Sequence, residues 1–95
     1  MKLRYTRKAA SELSGVLAYI DERSPQGARR VKASIEATTD LMLQHPYCGQ
    51  LTSKGRLRRV VIYPFPYLIF YRVAKNDIVI HGVRHGARRP SSMPA

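Results

Sequence analysis

Apolar residues recur every three or four positions between residues 6 and 45, and from residue 57 onward they fall in short runs rich in β-formers. In the first part, Leu13, Val16, Leu17 and Ile20 make one stripe on a predicted helix. Thr6 precedes it as an N-cap, its hydroxyl able to accept from a backbone N–H that has no partner inside the helix. Ser24-Pro25 closes this helix and opens a second, with Ser24 as cap and Pro25 at the first helical position, where a missing N–H costs little. Ala28, Val31, Ile35, Thr38 and Met42 track one face of the second helix, with Ala33, Ala37 and Leu41 beside it, and His45-Pro46 ends it. Residues 47–55 read as a loop. Strands follow at 57–63, 67–73 and 78–85, separated by a Pro64-Phe65-Pro66 turn and by Ala74-Lys75-Asn76-Asp77. Residues 3–5 add a short first strand. The order β-α-α-β-β-β predicts an α+β fold, a helical hairpin packed on one face of a small antiparallel sheet. The sheet's other face is left for work.

Composition narrows the picture. The chain has 95 residues, of which 44% are hydrophobic. That suits one globular domain with a modest core, predicted over 1–90, and a loose tail at 91–95 rich in Pro and Ser. Seventeen Lys and Arg stand against six Asp and Glu, a formal charge of +11. Such a surface attracts phosphate polymers or acidic proteins. One cysteine, Cys48, rules out an internal disulfide and fits a reducing cytoplasm. It lies in a Pro-Tyr-Cys-Gly loop without a nucleophile's partners and reads as a bystander. The opening residues are too charged for a signal peptide, and no apolar run is long enough to span a membrane. Scattered histidines give no metal-ligand spacing, and no Gly-rich phosphate loop is present, so neither metal nor other cofactor is expected.

Alternation assigns the strand faces. Tyr67, Ile69, Tyr71 and Val73 share the side that suits the helices. Leu68, Phe70 and Arg72 share the other, joined by Arg59, Val61 and Tyr63 from the preceding strand. This outer face is apolar with a cationic rim, the character of a protein-binding surface unless the chain's own tail covers it. Arg72, Arg84, His85 and Arg88 are expected along one edge of the final hairpin. There a histidine and arginines would suit proton transfer and charge stabilisation in phosphodiester chemistry. The plainer alternative is that His85 caps a strand end and the arginines are solvated. His81 reads as a strand position facing core or solvent, and His45 as a helix-end residue complementing the dipole.

Several of these segments, taken in order, resemble the RelE/ParE superfamily of bacterial type II toxins. They are Tyr5-Thr-Arg-Lys-Ala-Ala-Ser-Glu-Leu13, Tyr19-Ile20, residues 41–49 with His45-Pro46, Arg58-Arg59, Tyr71-Arg72-Val73 and Val83-Arg-His-Gly-Ala-Arg88. The resemblance implies a small basic toxin neutralised by an acidic, ParD-like antitoxin. It also implies one of two targets: DNA gyrase, bound by ParE-like members, or messenger RNA on the ribosome, cut by RelE-like members. The ribonuclease branch would place an arginine at Leu68 and a lysine at Val61, while Arg59 and Arg88 match basic positions of its pattern. The two apolar replacements favour the ParE-like branch. The expected partner-binding residues are Arg59, Val61, Leu68, Phe70, Arg72, Arg84, His85 and Arg88, chosen by charge and pleat. The alternative endoribonuclease would use Arg59, Arg72, His85 and Arg88. A third possibility keeps the fold without toxicity, as a partner-binding module.

Overall fold

A computed structural model describes residues 1–86; Arg88 and the predicted boundary near residue 90 lie outside the described residues. The elements are β1 (Lys2–Tyr5), α1 (Arg7–Arg23), α2 (Pro25–Gln44), β2 (Gln50–Leu51), β3 (Arg58–Val61), β4 (Tyr67–Val73) and β5 (Asp77–His85). They build a two-layer α+β fold, two helices against one five-stranded sheet of order β1-β5-β4-β3-β2.

Local chemistry sets the helix ends. The Thr6 hydroxyl accepts from Ala9 N–H at 3.0 Å, and the Ser24 hydroxyl accepts from Gly27 N–H at 3.0 Å. Ser24 also donates its own N–H to Ile20, so this single residue ends α1 and begins α2. On α2 the buried residues are Ala28, Val31, Ile35, Thr39 and Met42. The expected Thr38 is only half-buried, because a stripe stepping by four from Ile35 reaches Thr39 before it reaches Met42. Ala33, Ala37 and Leu41 face solvent.

The sheet departs from expectation in three places. Residues 47–55 are not all loop: Gln50 and Leu51 form β2, pairing with Arg59 and Arg58. The sheet is not wholly antiparallel, since β1 runs parallel to β5 with Lys2 opposite Asp77 and Tyr5 opposite Ile80. Finally, β3 stops at Val61, which leaves Tyr63 outside the ladder and 83% exposed. Ile62 still donates to Tyr67 across the turn, whose Tyr63-Pro64 peptide is cis.

The side of the sheet that meets the helices carries Ile69, Tyr71, Ile78, Ile80 and Val83. They pack with Ala9, Val31, Ile35 and Met42 into one core, with Tyr67 and Val73 at its margin. Each fully buried aliphatic side chain contributes roughly 1.5–3 kcal/mol from the area removed from water. Leu68 and Phe70 point away from this core, as the alternation predicts. One irregularity matters later. Opposite β4 the register steps from Phe70↔Gly82 to Tyr71↔Ile80, so His81 is an extra residue, a β-bulge.

Candidate functional site

The outer face of the sheet is built from three strands. Register places Val61 directly opposite Leu68, Arg59 opposite Phe70, and Arg72 opposite Val79. Val61 is 54% exposed, Leu68 is half-buried and Phe70 is only 3% exposed. The glycine across from Phe70, Gly82, has no side chain to compete for the space its ring needs. The face therefore presents an apolar pair, Val61 and Leu68, at one end and cations at the other. Arg59 donates to the Gln50 side chain at 3.3 Å, and Arg72 to the Lys54 carbonyl at 3.5 Å.

His81 joins this group, and its imidazole lies close enough to Arg72 to be affected by its charge. Burial lowers the histidine's pKa below its usual value, and the Arg72 charge lowers it further. Because the folded protein favours neutral His81, it binds fewer protons than the unfolded chain below the usual histidine value of about 6.5. This contribution is fully present above that pH and is lost as the pH falls through the lowered folded value. A urea-midpoint series should show His81→Asn flattening that acid-side fall, whereas identical pH profiles would exclude the effect.

Among the described residues of the expected cationic edge, Arg72, Arg84 and His85 lie apart. Arg72 pairs with Val79, while Arg84 pairs with Leu68, four residues away along β4 or about 13 Å. Arg84 is buried, and its guanidinium meets the Glu12 carboxylate of α1 at 2.6 Å. The other Glu12 oxygen accepts from Val83 N–H at 3.2 Å. This carboxylate thus serves the edge of β5 beyond Ile80, where β1 pairing ends. His85 pairs with Tyr67, on the helix side of the sheet, and their rings meet edge-on at 5.5 Å. Arg59 and Arg72 are consequently on one face and His85 on the other.

Glu12 and His81 were not singled out by the sequence. An acidic residue beside the apolar stripe of α1, next to Leu13, was the available signal for Glu12. For His81 the signal was alternation itself, which carries it from Val79 to the side of Arg72. Among the described residues no group of three or more His, Cys, Asp or Glu could hold a metal ion, and no helix is long and apolar enough to cross a membrane.

A family model described as the ParE toxin of the type II toxin–antitoxin system parDE matches residues 3–90. The chain belongs to the ParE toxin family. It is 33% identical to Toxin RelE2 of Caulobacter vibrioides over 84 residues, covering 88% of this chain and 93% of that protein. It is 32% identical to Y4kP of Sinorhizobium fredii, covering 88% of this chain and 86% of that protein. A solved structure described as the chromosomal ParDE TA system from P. aeruginosa shares the toxin's fold, with a TM-score of 0.79 at 22% identity. The match covers 90% of this chain and 95% of that one. The toxin is thus a type II toxin–antitoxin component of the ParE/RelE group.

Proposed function

We propose that the toxin acts in the cytoplasm by gripping DNA gyrase through the outer face of its sheet, and that a cognate acidic antitoxin neutralises it. One observation carries this reading. The two positions where a ribonuclease of this superfamily would hold an arginine and a lysine, Leu68 and Val61, are direct cross-strand partners on that face. Both missing charges therefore fall at one spot, which is apolar instead. Neither side chain can neutralise charge developing on a phosphate, and losing one such group commonly costs about 10²–10³-fold in rate. An apolar pair beside cations suits a protein contact, in which the apolar centre supplies affinity and the charges supply encounter rate and register. Arg59 and Arg72 would be the flanking cations of that contact. Phe70 would act from beneath, as packing, and Arg84 as part of the frame that holds β5.

A second reading, a ribosome-dependent endoribonuclease, is favoured by a different observation: Arg59, Arg72 and His81 share the outer face. The neutral imidazole is a possible proton acceptor there. His85, on the opposite side, would not belong to that centre. The two readings separate in parallel assays of the purified toxin. Gyrase-catalysed supercoiling should be inhibited, and a translated message should stay intact. Message cleavage that His81→Ala abolishes would support the enzyme instead.

A further inference from the structure

Residues 41–76 hold six Lys and Arg and no Asp or Glu. The loop before β3, together with β3 and β4, is thus of one sign, although acids are present elsewhere in the chain. Within this region Tyr47 and Leu51 are large apolar side chains left 67% and 56% exposed. Between them lies a cavity of about 310 Å³, lined by Tyr47, Leu51, Gly55, Arg56, Arg58 and Val73. It is at the β2 edge of the sheet, apart from the Val61–Leu68 pair.

The walls are fixed from below. The buried Tyr71 hydroxyl donates to the Pro46 carbonyl at 2.9 Å and accepts from Gly49 N–H at 2.8 Å. Burial pushes its pKa up to about 12, so it remains a donor at any physiological pH. Arg58 donates to the Gly49 carbonyl at 2.8 Å and to the Tyr47 carbonyl at 3.3 Å, with its guanidinium carbon 5.0 Å from the centre of the Tyr47 ring. Gly55, at φ 62°, turns the opposite wall and leaves open space where a Cβ would be. A loop tied this way presents Tyr47 without a further ordering cost on binding.

We propose that this cavity docks an acidic peptide segment of a protein partner, an apolar or aromatic side chain entering between Tyr47 and Leu51 and carboxylates meeting Arg56 and Arg58. The inference rests on the reading that the toxin works through protein contacts, and it adds a second contact site at the sheet edge. Charge complementarity selects an acidic partner. The floor selects protein over nucleic acid: Leu51 and Val73 offer nothing to a phosphate or to a sugar. Tyrosine and arginine at a rigid, concave spot are also the residue types on which binding energy concentrates.

The probe is a fluorescein-labelled peptide, Asp-Glu-Phe-Leu-Glu-Asp, titrated into the full-length toxin by anisotropy and by amide chemical shifts. A second peptide has serine in place of the two apolar residues, and a short oligothymidylate represents nucleic acid. The first peptide should bind, weaken with salt, and shift the amides of Tyr47, Leu51, Arg56 and Arg58. Leu51→Asp, at an exposed position that should leave the fold intact, and Arg56→Glu should each weaken it at least about tenfold, as should the serine peptide. No binding, binding indifferent to Leu51→Asp, or oligothymidylate shifting the same amides more tightly would overturn the inference. If gyrase is inhibited and the peptide does not bind, this site fails and the proposed function stands. If the peptide binds as described and gyrase is untouched, the site stands and the target is wrong.

Discussion

Replacing Glu12 with Ala should lower the toxin's stability by about 3 kcal/mol, because it strips a buried guanidinium of its carboxylate. Arg84 and Glu12 have side chains only 7% and 19% exposed, and their contact is 2.6 Å. The same carboxylate accepts from Val83 N–H, so a buried backbone donor loses its acceptor as well. In a small domain with about 5–15 kcal/mol in total, that is a large fraction. A urea titration should show the midpoint falling with an unchanged slope. The double variant Glu12→Ala/Arg84→Met should regain much of the loss, since removing both charges leaves no ion without its counter-charge. A single-variant loss under about 1 kcal/mol would place the pair among ordinary surface bridges.

Gly49→Ala is expected to cost about 3 kcal/mol and to disturb the Tyr47 loop. A Cβ there would stand 2.6 Å from the Tyr71 hydroxyl and 2.7 Å from its ring. Tyr71 is fully buried in the core and cannot move aside, so the loop must lift. Lifting it breaks the bond from Gly49 N–H to the hydroxyl and loosens the bond from that hydroxyl to Pro46. Hydrogen exchange at Gly49 and Cys48 should accelerate together with the drop in thermal midpoint. An unchanged exchange rate would mean that the loop is held by something else. Tyr71→Phe removes the hydroxyl without the clash and should cost less, about 1–2 kcal/mol.

Features set by neighbours in sequence were legible. Thr6, Ser24 and Pro25 mark helix ends through contacts spanning three or four residues, and the apolar stripes of α1 and α2 follow from helical period. The alternation in β4 correctly turned Ile69 and Tyr71 inward and Leu68 and Phe70 outward. What failed depends on distant pairing. The two-residue β2 exists because Arg58 and Arg59 are beside it, and no pattern in two residues announces that. The parallel partnership of β1 with β5 joins residues 75 positions apart.

The placement of the candidate residues turns on one structural feature. Strict alternation from Ile80 puts His85 on the outer face, but the extra residue at His81 reverses parity beyond it. His85 moves to the helix side, while His81, two residues after Val79, keeps the side of Arg72 that alternation gives it. The same shift sets Arg84 opposite Leu68, yet its guanidinium is drawn to Glu12, a residue 72 positions earlier. A cationic edge inferred from charge alone therefore separates into a structural ion pair, an aromatic contact and a smaller group on the outer face.

Gripping rather than cutting is a claim about Val61 and Leu68, and it has a direct measurement. Purified toxin is titrated against gyrase acting on relaxed plasmid, beside a Leu68→Lys variant that keeps the fold but places charge in the apolar pair. The wild-type toxin should stop supercoiling in a dose-dependent way, and the variant should need at least about tenfold more protein, as loss of a central contact requires. Supercoiling that proceeds unchanged at saturating wild-type toxin would contradict the proposed mode of action.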